Sequence, residues 1–109
     1  MNQSLGVLEK QYFFLTQSLS DLMDQGATPV ELDAMRKAIV QSRTNYWKAI
    51  NNVLHDDDPD VSSLVTQMNT AQLNLEAGVK NLGNVAKVLD VITQAVDIGS
   101  QLAAKVVAL

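Results

Sequence analysis

The chain has no cysteine among its 109 residues. This absence excludes disulfide bonds, thiolate nucleophiles, CxxC redox motifs and zinc sites that require sulfur ligands. Glycine and proline are also scarce, with 5 and 2 residues respectively, while 47% of the residues are hydrophobic. Such a composition excludes a disordered, collagen-like or low-complexity chain, and the length allows one modest core but not two. We therefore expect a single folded domain over residues 1–109.

Basic residues are too few to balance the acidic ones. Lys and Arg total 8 against 12 Asp and Glu, which makes the net charge -4 at pH 7. This chain lacks the positive surface charge that attracts nucleic acid or anionic lipid, so we predict no nucleic-acid partner.

The N-terminus has no basic region ahead of an apolar run, whereas a secretory signal would have one. We expect a cytoplasmic protein by default, with export by a leaderless route as the alternative.

Strand-like alternation is absent from the first half of the chain, where apolar residues recur at the helical spacings of three and four. Gly26 suits the left-handed position after a helix and Pro29 cannot continue one, so a first helix is predicted over about residues 3–25. Its apolar residues are Leu5, Leu8, Tyr12, Leu15, Leu19 and Leu22. A second helix is predicted over about residues 29–54 from Leu32, Met35, Ile39, Ser42, Tyr46, Ala49 and Val53.

Thr28, Pro29 and Glu31 form a capping-box pattern at the start of the second helix. The Thr28 side chain can accept from the amide three residues on, and Glu31 can reach back to Thr28. Pro29 occupies the first helical position, where its missing N–H is not needed. Because only two or three residues separate the two helices, we expect an antiparallel hairpin.

A third helix is predicted to begin with Asp58 as N-cap and Pro59 at its first position. From there an unbroken ladder of a and d positions comprises Val61, Leu64, Met68, Ala71, Leu75, Gly78, Leu82, Val85, Leu89, Ile92, Val96, Gly99, Ala103 and Val106. A continuous helix over residues 59–107 would be about 72 Å long, almost twice the second helix. Leaving about ten apolar side chains from Val85 onward in water would forgo on the order of 15–30 kcal/mol. Something has to cover this segment.

Two arrangements would cover this C-terminal segment in aqueous solution. The helix can break near residues 82–84, with Gly83 after one helix and Asn84 capping the next, or it can stay continuous and associate with another chain. We favour self-association because the heptad phase passes through Gly83 and Asn84 undisturbed. The predicted fold is therefore all-α: a hairpin followed by one long third helix, either continuous or broken near residues 82–84, in a three- or four-helix bundle with coiled-coil-like packing. The residues expected at the interface are Val85, Leu89, Ile92, Val96, Leu102 and Val106.

A membrane is the third way to cover the C-terminal segment. Residues 88–109 are about long enough to span a bilayer, but Asp90, Asp97 and Lys105 would each cost roughly 2.5–3.5 kcal/mol near its centre. The alternative function is therefore a secreted, membrane-active (pore-forming-like) protein whose apolar C-terminal helix inserts on assembly.

The chain offers little catalytic or metal-binding chemistry. Asp56, Asp58 and Asp60 imitate the first ligands of a calcium-binding EF-hand loop, but Val61 and Gln67 stand where the required glycine and glutamate belong. We interpret this acidic turn as a solvated, helix-capping segment. No strand–turn–helix elbow exists for a serine nucleophile, and we predict no enzyme activity and no catalytic, cofactor or metal site.

Three adjacent aromatic residues, Tyr12, Phe13 and Phe14, cannot all face one seam because successive residues turn by about 100°. We therefore expect Phe13 or Phe14 to leave the seam and mark a partner surface.

The function predicted from the sequence is a helical protein–protein interaction module that self-associates, either as a structural subunit or as an adaptor/chaperone-like binder. The expected partner is another copy or a helical protein.

The capping box leads to a first testable prediction. Thr28→Ala should lower the free energy of unfolding by about 1 kcal/mol, since one helix N-terminal amide loses its acceptor, and it should leave any assembly intact. Chemical denaturation and light scattering measure the two quantities. A changed oligomer mass at unchanged stability would contradict the assignment of Thr28 as a cap.

Overall fold

A computed structural model describes residues 3–81 and 83–108. It contains four helices: α1 (Gln3–Asp24), α2 (Pro29–Ile50), α3 (Pro59–Lys80) and α4 (Val85–Ala103). Within the described residues the only strand-like contact is an isolated bridge between Val53 and Val107. The all-helical fold and the predicted breaks near residues 26–28 and 55–58 are confirmed.

The turn between α1 and α2 follows the predicted chemistry. Gly26 takes a φ of 80°, the left-handed conformation that glycine adopts without steric cost. The Thr28 hydroxyl oxygen accepts from the Glu31 N–H at 3.2 Å, and Glu31 Oε1 accepts from the Thr28 N–H at 2.9 Å. The capping box is confirmed.

The second helix ends earlier than predicted, at Ile50 instead of residue 54. Its last turn is closed by asparagine amides: Asn51 Nδ2 donates to the Trp47 carbonyl and Asn52 Nδ2 to the Lys48 carbonyl, each at 2.9 Å. The Trp47 carbonyl also accepts from the Asn51 backbone N–H at 3.0 Å, so the Asn51 side chain adds a second donor to it. The Asn52 amide supplies a donor to the Lys48 carbonyl near the helix end, where carbonyls lack backbone donors. Leu54 then lies buried beyond the helix end.

The favoured continuous third helix is wrong, and the alternative break near residues 82–84 is the one observed. α3 stops at Lys80 and α4 starts at Val85, with Asn84 Oδ1 accepting from the Lys87 N–H at 3.2 Å as the new N-cap. Gly83 does not take the left-handed conformation expected of it, and Leu82 lies outside the described residues. The physical reason for the break is burial, because folding back places the apolar face of α4 inside the molecule.

The helices form two antiparallel hairpins, α1–α2 and α3–α4, packed side by side. α1 and α4 each pack against both α2 and α3, whereas α2 and α3 make no contact over the described chain. The four helices therefore stand at the corners of a square, with α2 diagonal to α3. The connection over residues 51–58 crosses this diagonal at one end of the bundle.

Two apolar clusters fill the bundle, one toward each end, and every helix contributes to both. The cluster near the α1–α2 turn contains Leu15, Leu22, Met35, Ala71, Leu75, Val88, Ile92, Ala95 and Val96. The cluster at the opposite end contains Leu8, Ala49, Leu54, Val61, Leu64, Val65, Met68 and Leu102.

Buried amides stand where the two clusters meet. Gln11 Nε2 donates to the Ala95 carbonyl at 2.9 Å, and Asn45 Nδ2 donates to Ser100 Oγ at 3.2 Å. A β-carbon on Gly99 would lie 2.8 Å from Gln11 Oε1 and 3.4 Å from Asn45 Nδ2. The absence of a side chain at Gly99 therefore allows α4 to approach both amides.

The position of α4 in the core leads to a second prediction. Ile92→Asp puts an unpaired charge at a fully buried site, which costs several kcal/mol out of a typical net stability of about 5–15 kcal/mol. We expect the whole domain to lose its helical circular dichroism signal, while the exposed neighbour Thr93→Asp keeps it. An Ile92→Asp protein that stays helical and only loses mass would instead make α4 an assembly arm.

Candidate interaction surfaces

The C-terminal residues expected at an interface are covered by the chain itself. Ile92, Val96 and Leu102 are buried in the two core clusters. The remaining three, Val85, Leu89 and Val106, are partly buried and pack against the same clusters. An interface through these side chains would require the bundle to open.

Phe13 leaves the seam, as expected for one of the two phenylalanines, and Phe14 does not. Phe13 is 48% exposed, whereas Phe14 packs against the first core cluster. The Phe13 ring lies 5.3 Å from Tyr12 and 6.1 Å from Tyr46, measured between ring centroids. The three rings form an aromatic cluster on the outer surface where α1 meets α2.

Tyr46 is tied to α1 by its hydroxyl group as well as by its ring. The hydroxyl donates to Glu9 Oε2 at 2.7 Å. This hydrogen bond, followed by burial and by the negative charge of Glu9, raises the pKa of the Tyr46 phenol. The aromatic cluster is therefore held in place from both helices.

The outward face of α2 carries an apolar and basic stripe, which we call the α2 ridge. It consists of Arg36, Val40, Arg43, Trp47 and Ile50, and its apolar members are 50%, 57% and 47% exposed for Val40, Trp47 and Ile50 respectively. The Arg43 guanidinium lies 5.8 Å from the centre of a Trp47 ring, within the range of a cation–π contact. Trp, Arg and aromatic residues are enriched at the centres of protein interfaces.

A groove runs between α1 and α3, and at Glu9 and Phe13 it reaches the aromatic cluster that α1 shares with α2. Its two adjoining sections, of about 550 and 340 Å³, share Phe14 and Glu76. The apolar lining is Phe13, Phe14 and Val79, and the charged lining is Glu9, Asp21, Asp24, Glu76, Lys10 and Lys80. Four carboxylates face two ammonium groups, so the α1/α3 groove is acidic with an apolar floor.

Gln72 lines this groove, and its buried side chain lacks hydrogen-bond partners among the described residues. The residue is only 6% exposed, yet neither Oε1 nor Nε2 finds a hydrogen-bond partner among the residues that the structure describes. A buried polar atom without a partner costs about 1–3 kcal/mol. Both atoms are covered from solvent, so a ligand in the groove would remove this cost only if it also displaced the atoms above them.

The acidic turn serves the helix ends, as the sequence suggested. Asp58 is the N-cap of α3 and accepts from the Asp60 and Val61 amides at 2.8 and 3.3 Å. Asp60 in turn lies 3.6 Å from Lys105 Nζ.

Asp56 has a role that no local pattern announced, since it caps α1 from 52 residues away along the chain. Its carboxylate accepts from the Gln3 N–H at 2.7 Å, the Ser4 N–H at 3.2 Å and the Ser4 hydroxyl at 2.6 Å. Burial alone raises the pKa of Asp56, but these hydrogen bonds outweigh it, so that the pKa is lowered.

Two further features of the described chain bear on the candidate functions. Over residues 3–81 and 83–108, no three His, Asp or Glu side chains are grouped so that they could hold a metal ion. No helix in the same ranges is long and apolar enough to cross a membrane.

No protein-family model, no curated protein and no solved structure matches this chain. The function therefore has to be inferred from the surfaces themselves.

Sequence reasoning missed both the α2 ridge and the α1/α3 groove, for different reasons. The ridge has a sequence signal, because residues 36, 40, 43, 47 and 50 have the same spacing as the inward-facing residues of α2. Each ridge residue directly follows one of these inward-facing residues, which are Met35, Ile39, Ser42, Tyr46 and Ala49. The groove has none, because its walls come from two helices that are distant in sequence.

The remote cap leads to a third prediction. Asp56→Ala should lower the free energy of unfolding by about 1 kcal/mol at pH 7, because α1 loses its acceptor. Since the pKa of Asp56 is lower in the folded than in the unfolded chain, its contribution is complete above the unfolded value of about 3.8 and disappears as the pH falls through the folded value.

Denaturation curves from pH 7 down to pH 2 test this expectation. The gap between wild type and Asp56→Ala should close at low pH, while the exposed neighbour Asp57→Ala should match wild type throughout. A gap that is unchanged at pH 2 would show that the carboxylate does not cap α1.

Proposed function

We propose that this chain is a non-enzymatic helical protein–protein interaction module and that the α2 ridge is its binding surface. The observation that carries the proposal is the exposure of Val40, Trp47 and Ile50 in one stripe at helical spacing. Helices that bind in grooves present their anchors in this way, at positions i, i+3 or i+4, and i+7.

The location of the ridge supports this role. α2 packs against α1 and α4 through its other faces, so the ridge contributes nothing to the core. Scattered exposed apolar residues are ordinary on protein surfaces, whereas a contiguous stripe with an exposed tryptophan costs solubility unless it binds something. The arginines beside it favour a partner that carries negative charge.

The titratable groups support a binding role over catalysis. The pKa shifts of Asp56 and Tyr46 are both explained by hydrogen bonds that connect helix ends or helix faces. The α1/α3 groove is open at the surface, and it lacks the enclosed apolar environment that tunes catalytic carboxylates.

Photo-cross-linking from residue 47 tests the proposed function. A photoreactive phenylalanine analogue is placed at position 47 in cells that produce the chain. We expect a discrete adduct of higher mass upon irradiation, because a partner covers Trp47.

Leu73 supplies the matched control. It is 67% exposed on α3, but it is flanked by polar Asn69, Thr70 and Glu76 in place of an apolar stripe. The same analogue at position 73 should produce no adduct. Absence of any adduct at position 47, or equal labelling from both positions, would contradict the proposal.

A further inference from the structure

We propose that the occupant of the α1/α3 groove is the α2 ridge of a second copy of this chain, so that copies associate head to tail. This inference rests on the proposed function, because it identifies the partner of the α2 ridge. Two surfaces of the same molecule carry this inference. They have opposite charge, both include apolar side chains, and the groove contains a glutamine whose side chain has no hydrogen-bond partner among the described residues.

The ridge is the convex and basic partner. Arg36 and Arg43 alternate with Val40 and Trp47 along the exposed face of α2, and neither arginine forms an ion pair within the described residues. Their positive charge is therefore available to a second molecule.

The groove is the concave and acidic partner. Asp21, Asp24 and Glu76 line the larger section, around an apolar floor formed by Phe14 and Val79. A docked ridge would place its arginine guanidinium groups against these carboxylates. It would also place Val40 or Trp47 against the apolar floor. Charge complementarity of this kind selects the partner and sets the register.

Gln72 supplies the observation that is independent of charge. Its carboxamide is buried at the groove and has both Oε1 and Nε2 unpaired in the described chain. Both atoms are covered from solvent, so an arginine of the ridge can donate to Oε1 only after the atoms above it move aside on docking. The isolated chain leaves this group unsatisfied, and docking of a second copy would satisfy at least its acceptor.

The two surfaces face different sides of the bundle. α2 occupies the corner diagonal to α3, while the groove lies between α1 and α3. One copy can therefore hold one neighbour in its groove and insert its ridge into another. Such a contact is heterologous, and repetition builds a ring or an open chain.

The experiment mixes two variants that each lose one surface. The ridge variant is Arg36→Glu/Arg43→Glu, and the groove variant is Asp21→Lys/Glu76→Lys. Wild-type mass, measured by light scattering, should rise above 11.9 kDa with concentration and fall with added salt, because screening weakens charge pairs at the surface. Each variant alone should stay at 11.9 kDa, because its ridge and its groove then carry charge of the same sign. An equimolar mixture should regain association, since the arginine ridge meets the intact groove and the glutamate ridge meets the lysine groove.

The mixture is diagnostic because each variant keeps the surface that the other lacks. Emission from Trp47, the only tryptophan, should shift to shorter wavelength in the mixture and in neither variant alone, because a ridge is covered only when it docks in a groove of opposite charge.

Matched controls reverse the same number of charges elsewhere. Lys48→Glu/Lys87→Glu and Asp90→Lys/Asp97→Lys alter exposed residues outside both surfaces and should associate like wild type. Gln72→Met should unfold no more easily than wild type, yet associate several-fold more weakly, because the partner loses an acceptor. Association of Gln72→Met equal to that of wild type would overturn the assignment of the groove.

Three other results would overturn the proposal: a wild-type chain that stays monomeric up to about 1 mM, a mixture that forms no dimer, or controls that dissociate like the variants. The cross-linking experiment separates this inference from the function on which it rests. An adduct at position 47 with the mass of two chains supports both, whereas an adduct with a different protein preserves the interaction module and rules out the second copy as its partner.

Discussion

Burial of the apolar face of α4 is the constraint on which the rest of the structure depends. This helix supplies Val88, Ile92, Ala95, Val96 and Leu102 to the two core clusters, so both ends of the bundle need it. Its approach is permitted by Gly99, whose missing side chain makes room for Gln11 and Asn45. Once α4 is in place, the chain has covered its own most hydrophobic segment, and any partner has to be met through a different surface.

Polar caps fix the starts of α1, α2 and α3 at the two ends of the bundle. Thr28 and Asp58 cap the helices that directly follow them, and such caps act within a few residues of the chain. Asp56 acts across the fold by holding the first turn of α1. The acidic turn thus joins the start of the first hairpin to the start of the second through Asp56 and Asp58.

The surface that remains is uneven in charge. Arginines on the α2 ridge stand out from a chain whose net charge is -4, and carboxylates collect in the α1/α3 groove. A bundle stabilised from within does not require either feature. Their separation on one small molecule is the basis for the association proposed above, and it makes the strength of that association dependent on ionic strength.

The sequence by itself determined the helical class, the positions of the first two breaks and the caps at Thr28 and Asp58, because these follow from spacing and from groups a few residues apart. It also required that Phe13 or Phe14 leave the seam, since consecutive residues cannot share one face of a helix. It did not determine whether residues 59–107 form one helix or two, because a heptad ladder that faces a second chain is the same ladder when it faces its own hairpin. Only the tertiary structure decided that question, through the core that Ile92 and Leu102 enter when the chain reverses after Lys80. The remote cap by Asp56, the α1/α3 groove and the unpaired carboxamide of Gln72 likewise arise only when distant helices meet, since each depends on contacts that no local pattern encodes.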